Sequence, residues 1–137
     1  MINNGFITSD NTSDCKAFYF DIEPQTKPRM VRSDKYKKRE CVQRYWAYKD
    51  TLILLAKSMN FPEIKDRINL LEFYISMPVS WSKKKKEKYI GKYHQQKPDI
   101  DNLLKGFQDA LLKEDKQIAD VLVRKNWSDK GFIKVIV

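Results

Sequence analysis

Lys97-Pro98-Asp99-Ile100-Asp101-Asn102-Leu103-Leu104-Lys105-Gly106-Phe107-Gln108-Asp109-Ala110-Leu111 is the stretch that decides how the chain is read. Pro98 disfavours helix at Lys97, and Asp99 stands where it can cap a new one. From Ile100 onward Leu103, Leu104, Phe107, Ala110 and Leu111 recur at helical spacing, which predicts a stripe facing a core. Asp101, Lys105 and Asp109 follow at four-residue steps and share one exposed face. The helix dipole favours a carboxylate near the N-terminus, so capping accounts for one aspartate. It accounts poorly for two within three positions, next to Asn102 and one turn before Lys105.

Working outward, Glu114-Asp115-Lys116-Gln117-Ile118 leads into a predicted strand over Val121 to Trp127. Ser128-Asp129-Lys130-Gly131 is a turn signal and Phe132 to Val137 a final strand, which together predict a C-terminal β-hairpin. Upstream, Ala17 to Ile22 reads as a strand and Tyr36 to Met59 as a helix. On that helix Val42, Tyr45, Trp46, Leu52, Ile53, Ala56 and Met59 are assigned to the core side. Ile68 to Met77 alternates, with Leu71, Phe73, Ile75 and Met77 on one side and Glu72, Tyr74 and Ser76 on the other. No repeat or linker interrupts the pattern. The expected fold is α+β: a single domain with a small mixed β-sheet packed against two main helices and ending in the hairpin. Residues 1–14, rich in Asn, Ser, Thr and Asp, are expected to form an arm, and 15–137 the domain.

At 137 residues, 42% hydrophobic and 33% charged, the chain suits one globular domain with a true core. Twenty-seven Lys and Arg against eighteen Asp and Glu leave a formal +9, which favours an anionic partner, nucleic acid foremost. Cys15 and Cys41 lack metal-ligand spacing, and a single histidine, His94, argues against a His-based zinc site or a histidine triad. No Walker-type or Rossmann glycine loop is present, so no nucleotide or other small-molecule cofactor is expected. No apolar run is long enough to cross a membrane and no signal-peptide pattern opens the chain, so the expected location is the cytoplasm.

Three segments gather positive charge. Lys27, Arg29 and Arg32 lie in a loop without helical or strand period, either a solvated connection or a contact for phosphates. Lys35, Lys37, Lys38 and Arg39 begin the first helix, against the dipole preference. Trp81, Lys83-Lys84-Lys85-Lys86, Lys88 and Tyr89 form a run that Ser82 can cap as a short helix. It is either a solubilising loop or a nucleic-acid contact with aromatic rings able to stack on bases. His94, just beyond, is a candidate metal or phosphate contact, or a plain loop residue.

Asp99, Asp101 and Asp115 are the candidate acids, with Asn102 as a secondary candidate. Carboxylates sharing one site repel one another, and the usual remedy is a hard divalent cation such as Mg²⁺ or Mn²⁺. In a basic protein such an ion suits phosphodiester hydrolysis, with Lys105 sharing the charge that builds on the phosphate. A twelve-residue helix is about 18 Å long. Asp115 therefore meets Asp99 only if the following strand folds back along the helix, or if a partner subunit supplies it.

The Lys97-Pro98-Asp99-Ile100-Asp101-Asn102-Leu103-Leu104-Lys105 core, with Asp109-Ala110-Leu111 and Glu114-Asp115-Lys116-Gln117-Ile118, resembles the signature of the RusA family of Holliday junction resolvases, common in bacteriophages and prophages. The Lys27-Pro28-Arg29 loop, the early strand and the Trp81-Ser82 lysine run are similar to those of its phage members. The resemblance implies a homodimeric, Mg²⁺-dependent endonuclease that nicks two opposed strands of a four-way DNA junction in recombination and repair. It implies Asp99, Asp101 and Asp115 as metal ligands and Lys105 as an essential lysine; Glu114, standing where the family often has a second aspartate, is a secondary candidate. Lys27, Arg29, Arg32 and Lys83 to Lys86 would hold the DNA. A nuclease for other branched DNA, or a non-catalytic DNA-binding protein whose acids merely cap, would carry the same basic segments.

Overall fold

The structure is a computed structural model that describes residues 15–29, 31–32, 39–112 and 117–137. The expected N-terminal arm, the basic stretch Lys35 to Lys38, and Glu114 and Asp115 lie outside the described residues. The elements run β1 (Ala17–Phe20), α1 (Glu40–Ser58), β2 (Arg67–Ser76), α2 (Lys83–Tyr89), α3 (Ile100–Leu111), β3 (Asp120–Ser128) and β4 (Phe132–Ile136). The four strands form one mixed sheet in the order β1-β4-β2-β3. β4 is antiparallel to both β1 and β2, and β3 is parallel to β2. Two parallel neighbours need a long crossover, and the α2–α3 region provides it. The α+β class and the mixed sheet against two main helices agree with the sequence reading.

The C-terminal pair differs in one respect. β3 and β4 are joined by the expected short turn, but β2 lies between them instead of the two bonding to each other. The physical reason is the apolar content of β2: Ile68, Leu71 and Phe73 are at most 1% exposed, and a strand so buried gains from partners on both edges. β3, with Leu122 half-exposed and Arg124 exposed, tolerates an edge position. The turn crosses the end of β2, and β4 begins opposite Tyr74. The amide of Ser76, past that ladder, donates to Glu23 Oε2 at 3.2 Å. A Cβ at Gly131 would run into the same Glu23 carboxylate, which would then have to move aside.

The core lies on one face of the sheet, under α1 and α3. Phe107 of α3 is fully buried, with its ring edge-to-face with Phe20 (centroids 5.8 Å apart) and Phe73 (6.4 Å). α1 contributes Val42, Tyr45, Tyr48 and Leu52. Trp46, expected inside, is 45% exposed, and Tyr48 takes the interior position three residues after Tyr45. On the other face of the sheet Tyr19, Lys134, Glu72 and Arg124 stand in one cross-strand row. Glu72, between two basic neighbours, also accepts from Asn126 Nδ2 at 3.2 Å. Among the described residues no helix is long and apolar enough to cross a membrane.

His94 packs against Trp127 with ring centroids 4.2 Å apart and is 4% exposed. Burial, and secondarily the charge of Lys125, holds its imidazole below the ordinary 6.5. The unfolded chain thus takes up a proton that the folded chain resists, so stability stands in full above 6.5 and declines as pH falls toward the depressed folded value. His94→Phe, which keeps a ring on Trp127, is expected to shrink the loss of denaturant midpoint between about pH 7.5 and 5.5. An unchanged difference would remove His94 from that account. Phe107→Ala is expected to cost about 3–5 kcal/mol in urea unfolding, a large share of a small domain's stability.

Candidate active site

Asp99 occupies the N-cap position of α3 with extended backbone (φ −71°, ψ 147°), yet its side chain makes no capping hydrogen bond. The carboxylate is exposed and is not committed to the helix amides, so a capping hydrogen bond does not account for this residue. Asp101, two residues on and also exposed, accepts from the Asn102 amide at 3.0 Å through Oδ1. These two carboxylates therefore present hard oxygen donors to solvent at one helix mouth, a donor set that fits Mg²⁺ or Mn²⁺. Among the described residues no three acids, histidines or cysteines gather into a metal-holding group. What the described residues give is a pair.

The third acid, Asp115, and its neighbour Glu114 lie outside the described residues. The residues that flank them are placed. Leu112 ends α3, and Gln117 donates through Nε2 to the carbonyls of Ile64 (3.0 Å) and Lys65 (3.1 Å), just before β2 begins. These flanks sit at the opposite end of α3 from Asp99, about 18 Å along the axis of a twelve-residue helix.

Down the exposed face of α3, Lys105 lies 3.8 Å from Asp109 Oδ1, and Asp109 Oδ2 is 2.8 Å from Lys27 Nζ. The Lys27 loop reaches the helix because residue 106 is glycine. A Cβ there would press on the Gln25 carbonyl oxygen and the Lys27 backbone nitrogen at 3.2 Å, and Tyr45 donates its hydroxyl to the Gly106 carbonyl at 2.9 Å. Burial first, and then the charge of Asp109, pushes the Tyr45 hydroxyl up to about 12, so it stays a donor. Asp109 thus holds one lysine from the basic loop beside one from the helix. Arg29 and Arg32 continue that loop on the surface, and the Arg29 carbonyl accepts from Arg39 Nη2 at 2.8 Å.

α2 begins as expected: Ser82 Oγ accepts from the Lys85 amide at 3.2 Å. None of its residues is buried, and Lys83, Lys84 and Lys85 are exposed. Trp81 is committed elsewhere. Its ring packs on Trp127 (4.8 Å) and Tyr89 (5.2 Å), with Lys85 Nζ 4.3 Å from its centre. It anchors the lysine helix to β3. The chain then runs along β3, with the Gly91 amide on the Trp127 carbonyl, the Trp127 amide on the Lys92 carbonyl, and the His94 amide on the Lys125 carbonyl. This path ties the basic helix and the mouth of α3 to the same end of β3. His94 lies inside it and does not join the exposed acids.

Sequence reasoning placed Asp101, Lys105 and Asp109 on one face but did not assign Asp109 a partner or Lys125 a role. Lys125 Nζ donates to the carbonyls of Gln96 and Pro98, each at 2.7 Å. The available signal was its place in the inward set Val121, Val123, Lys125, where an apolar residue is the rule.

The chain is similar to the uncharacterized protein YqaN of Bacillus subtilis (strain 168), 34% identical over 138 residues, which span 90% of this chain and 96% of that protein. Residues 20–137, which hold the α3 acids, the basic loop, the lysine helix and strands β2 to β4, match the family described as Endodeoxyribonuclease RusA. This match, over nearly all of the described fold, makes the chain a member of the RusA endodeoxyribonuclease family.

Proposed function

We propose that the chain is a divalent-metal-dependent endodeoxyribonuclease that works as a homodimer on four-way DNA junctions, nicking two opposed strands in recombination and repair in the cytoplasm. The observation that carries this reading is the uncommitted Asp99 carboxylate beside Asp101 at the mouth of α3, with Lys105 one turn on, in a chain of net charge +9. Asp99 and Asp101, with Asp115, are the residues that would hold the ion. When bound, Mg²⁺ or Mn²⁺ supplies Lewis-acid activation of the phosphodiester and of the attacking water.

The chain's own residues do the rest. Lys105 offers a cation to the negative charge that grows on the phosphate, and its tie to Asp109 restricts where the ammonium swings. Lys27, Arg29 and Arg32 on one side, and Lys83 to Lys86 on the other, contact the DNA backbone. Contacts of this kind hold by charge and shape, so affinity should fall steeply with salt.

Support for the homodimer in this reading comes from the separation along α3. The acids at its mouth and the flanks of Asp115 at its far end stand about a helix length apart, which favours a site completed by a second copy. Mixing two inactive variants tests this. In a dimer of one Asp101→Asn chain and one Asp115→Asn chain, a site shared between chains leaves one of two sites whole. Nicking of one strand should then return, whereas sites built within one chain would stay inactive in the mixture.

The enzyme reading is tested on four-way, three-way and linear DNA with and without Mg²⁺. Mg²⁺-dependent cleavage of the four-way junction is expected, and preference for linear duplex would sink the junction assignment. Asp101→Asn should abolish cleavage while junction binding persists or tightens, because a negative charge leaves the DNA surface. Unchanged cleavage would make the acid pair structural.

A further inference from the structure

β3 turns Val121 and Val123 toward the helix layer, and Lys125 continues that set. A lysine here must find partners for its ammonium inside the protein margin. It finds them in the carbonyls of Gln96 and Pro98, both at 2.7 Å, distances typical of charge-assisted bonds. The same residue's own carbonyl accepts from the His94 amide at 2.9 Å. One position on β3 therefore grips the chain at His94 through its backbone and at Gln96 and Pro98 through its side chain. The next residue is Asp99, the start of α3.

We propose that Lys125 is a positioning residue for the acid pair: it clamps the turn over residues 96–98 so that Asp99 and Asp101 stand ordered before an ion arrives. This rests on the reading of that pair as a divalent-ion site. Two effects of opposite sign follow from the ammonium. Its charge acts on Asp99 and by itself would oppose a nearby cation. Its bonds order the turn, which removes the ordering cost from ion binding. Both short bonds fall on backbone carbonyls, so ordering dominates.

The signs make the experiment decisive. Mn²⁺ binding is measured by electron paramagnetic resonance on the full chain, wild type and Lys125→Met, alongside the Mg²⁺ concentration for half-maximal junction cleavage. The expected result is Mn²⁺ affinity lower by about tenfold in the variant, the scale on which residues behind metal ligands act. The Mg²⁺ requirement should rise in parallel, with far-ultraviolet circular dichroism and metal-free junction binding unchanged. Equal or tighter Mn²⁺ binding in the variant overturns the clamp. Lys125→Gln, uncharged but polar, is read by the same criteria should the methionine variant fail to fold. Failure of both to fold would assign Lys125 to the core alone and also overturn it. A wild-type chain that neither binds Mn²⁺ nor cleaves with Mg²⁺ sinks the site reading itself, whereas wild-type activity with unaltered variants sinks only the clamp.

Discussion

The seat of α3 on the sheet is the constraint from which the rest follows. Phe107 is fully buried, edge-on to Phe20 from β1 and Phe73 from β2, so the helix touches the first strand and the central one through a single side chain. Such a contact fixes rotation about the helix axis as well as position. With Leu103 and Phe107 turned inward, the 3.6-residue period leaves Asp101 and Lys105 on the outside. Gly106, one residue before Phe107, lets the 25–27 backbone lie directly on the helix. The core and the charged face are thus two sides of one packing decision.

Charge is organised at short range on that face even though the whole chain is strongly basic. Asp109, sheltered from solvent, sits between Lys27 and Lys105 and orders cations drawn from a loop and a helix. Asp99 and Asp101 are placed differently: the first makes no side-chain cap on its helix, and the second accepts from the next residue's amide. Unspent carboxylates in a basic setting are costly to leave idle near DNA, since they repel phosphate. A divalent ion would resolve that conflict, which is the role proposed above for the acid pair in this member of the RusA family.

β3 joins the two charged territories. Trp127 holds Trp81 at the foot of the lysine helix, and Lys125, two residues earlier, holds the turn before the acids. Such coupling through an edge strand is invisible to a search for motifs, because neither residue belongs to one. It depends on the segment after α2 returning along β3, with the Gly91, Lys92 and His94 backbone on that strand.

Periodicity and composition alone determined the element order, the α+β class, the buried stripe of α3 and the face shared by Asp101, Lys105 and Asp109, because local spacing and side-chain polarity dictate each of these. Tertiary packing decided the remainder. β2 rather than β3 became the neighbour of β4, since strand order is set by which strand gains most from burial on both edges, a quantity summed over the whole sheet. Trp46 lost the interior to Tyr48 because α1 carries apolar residues around more than one side, and only its contact with α3 and the sheet selects among them. Whether Asp99 capped its helix or stood free depended on an orientation no spacing encodes, and Lys125 acquired its carbonyl partners only when residues 96–98 were folded beside it.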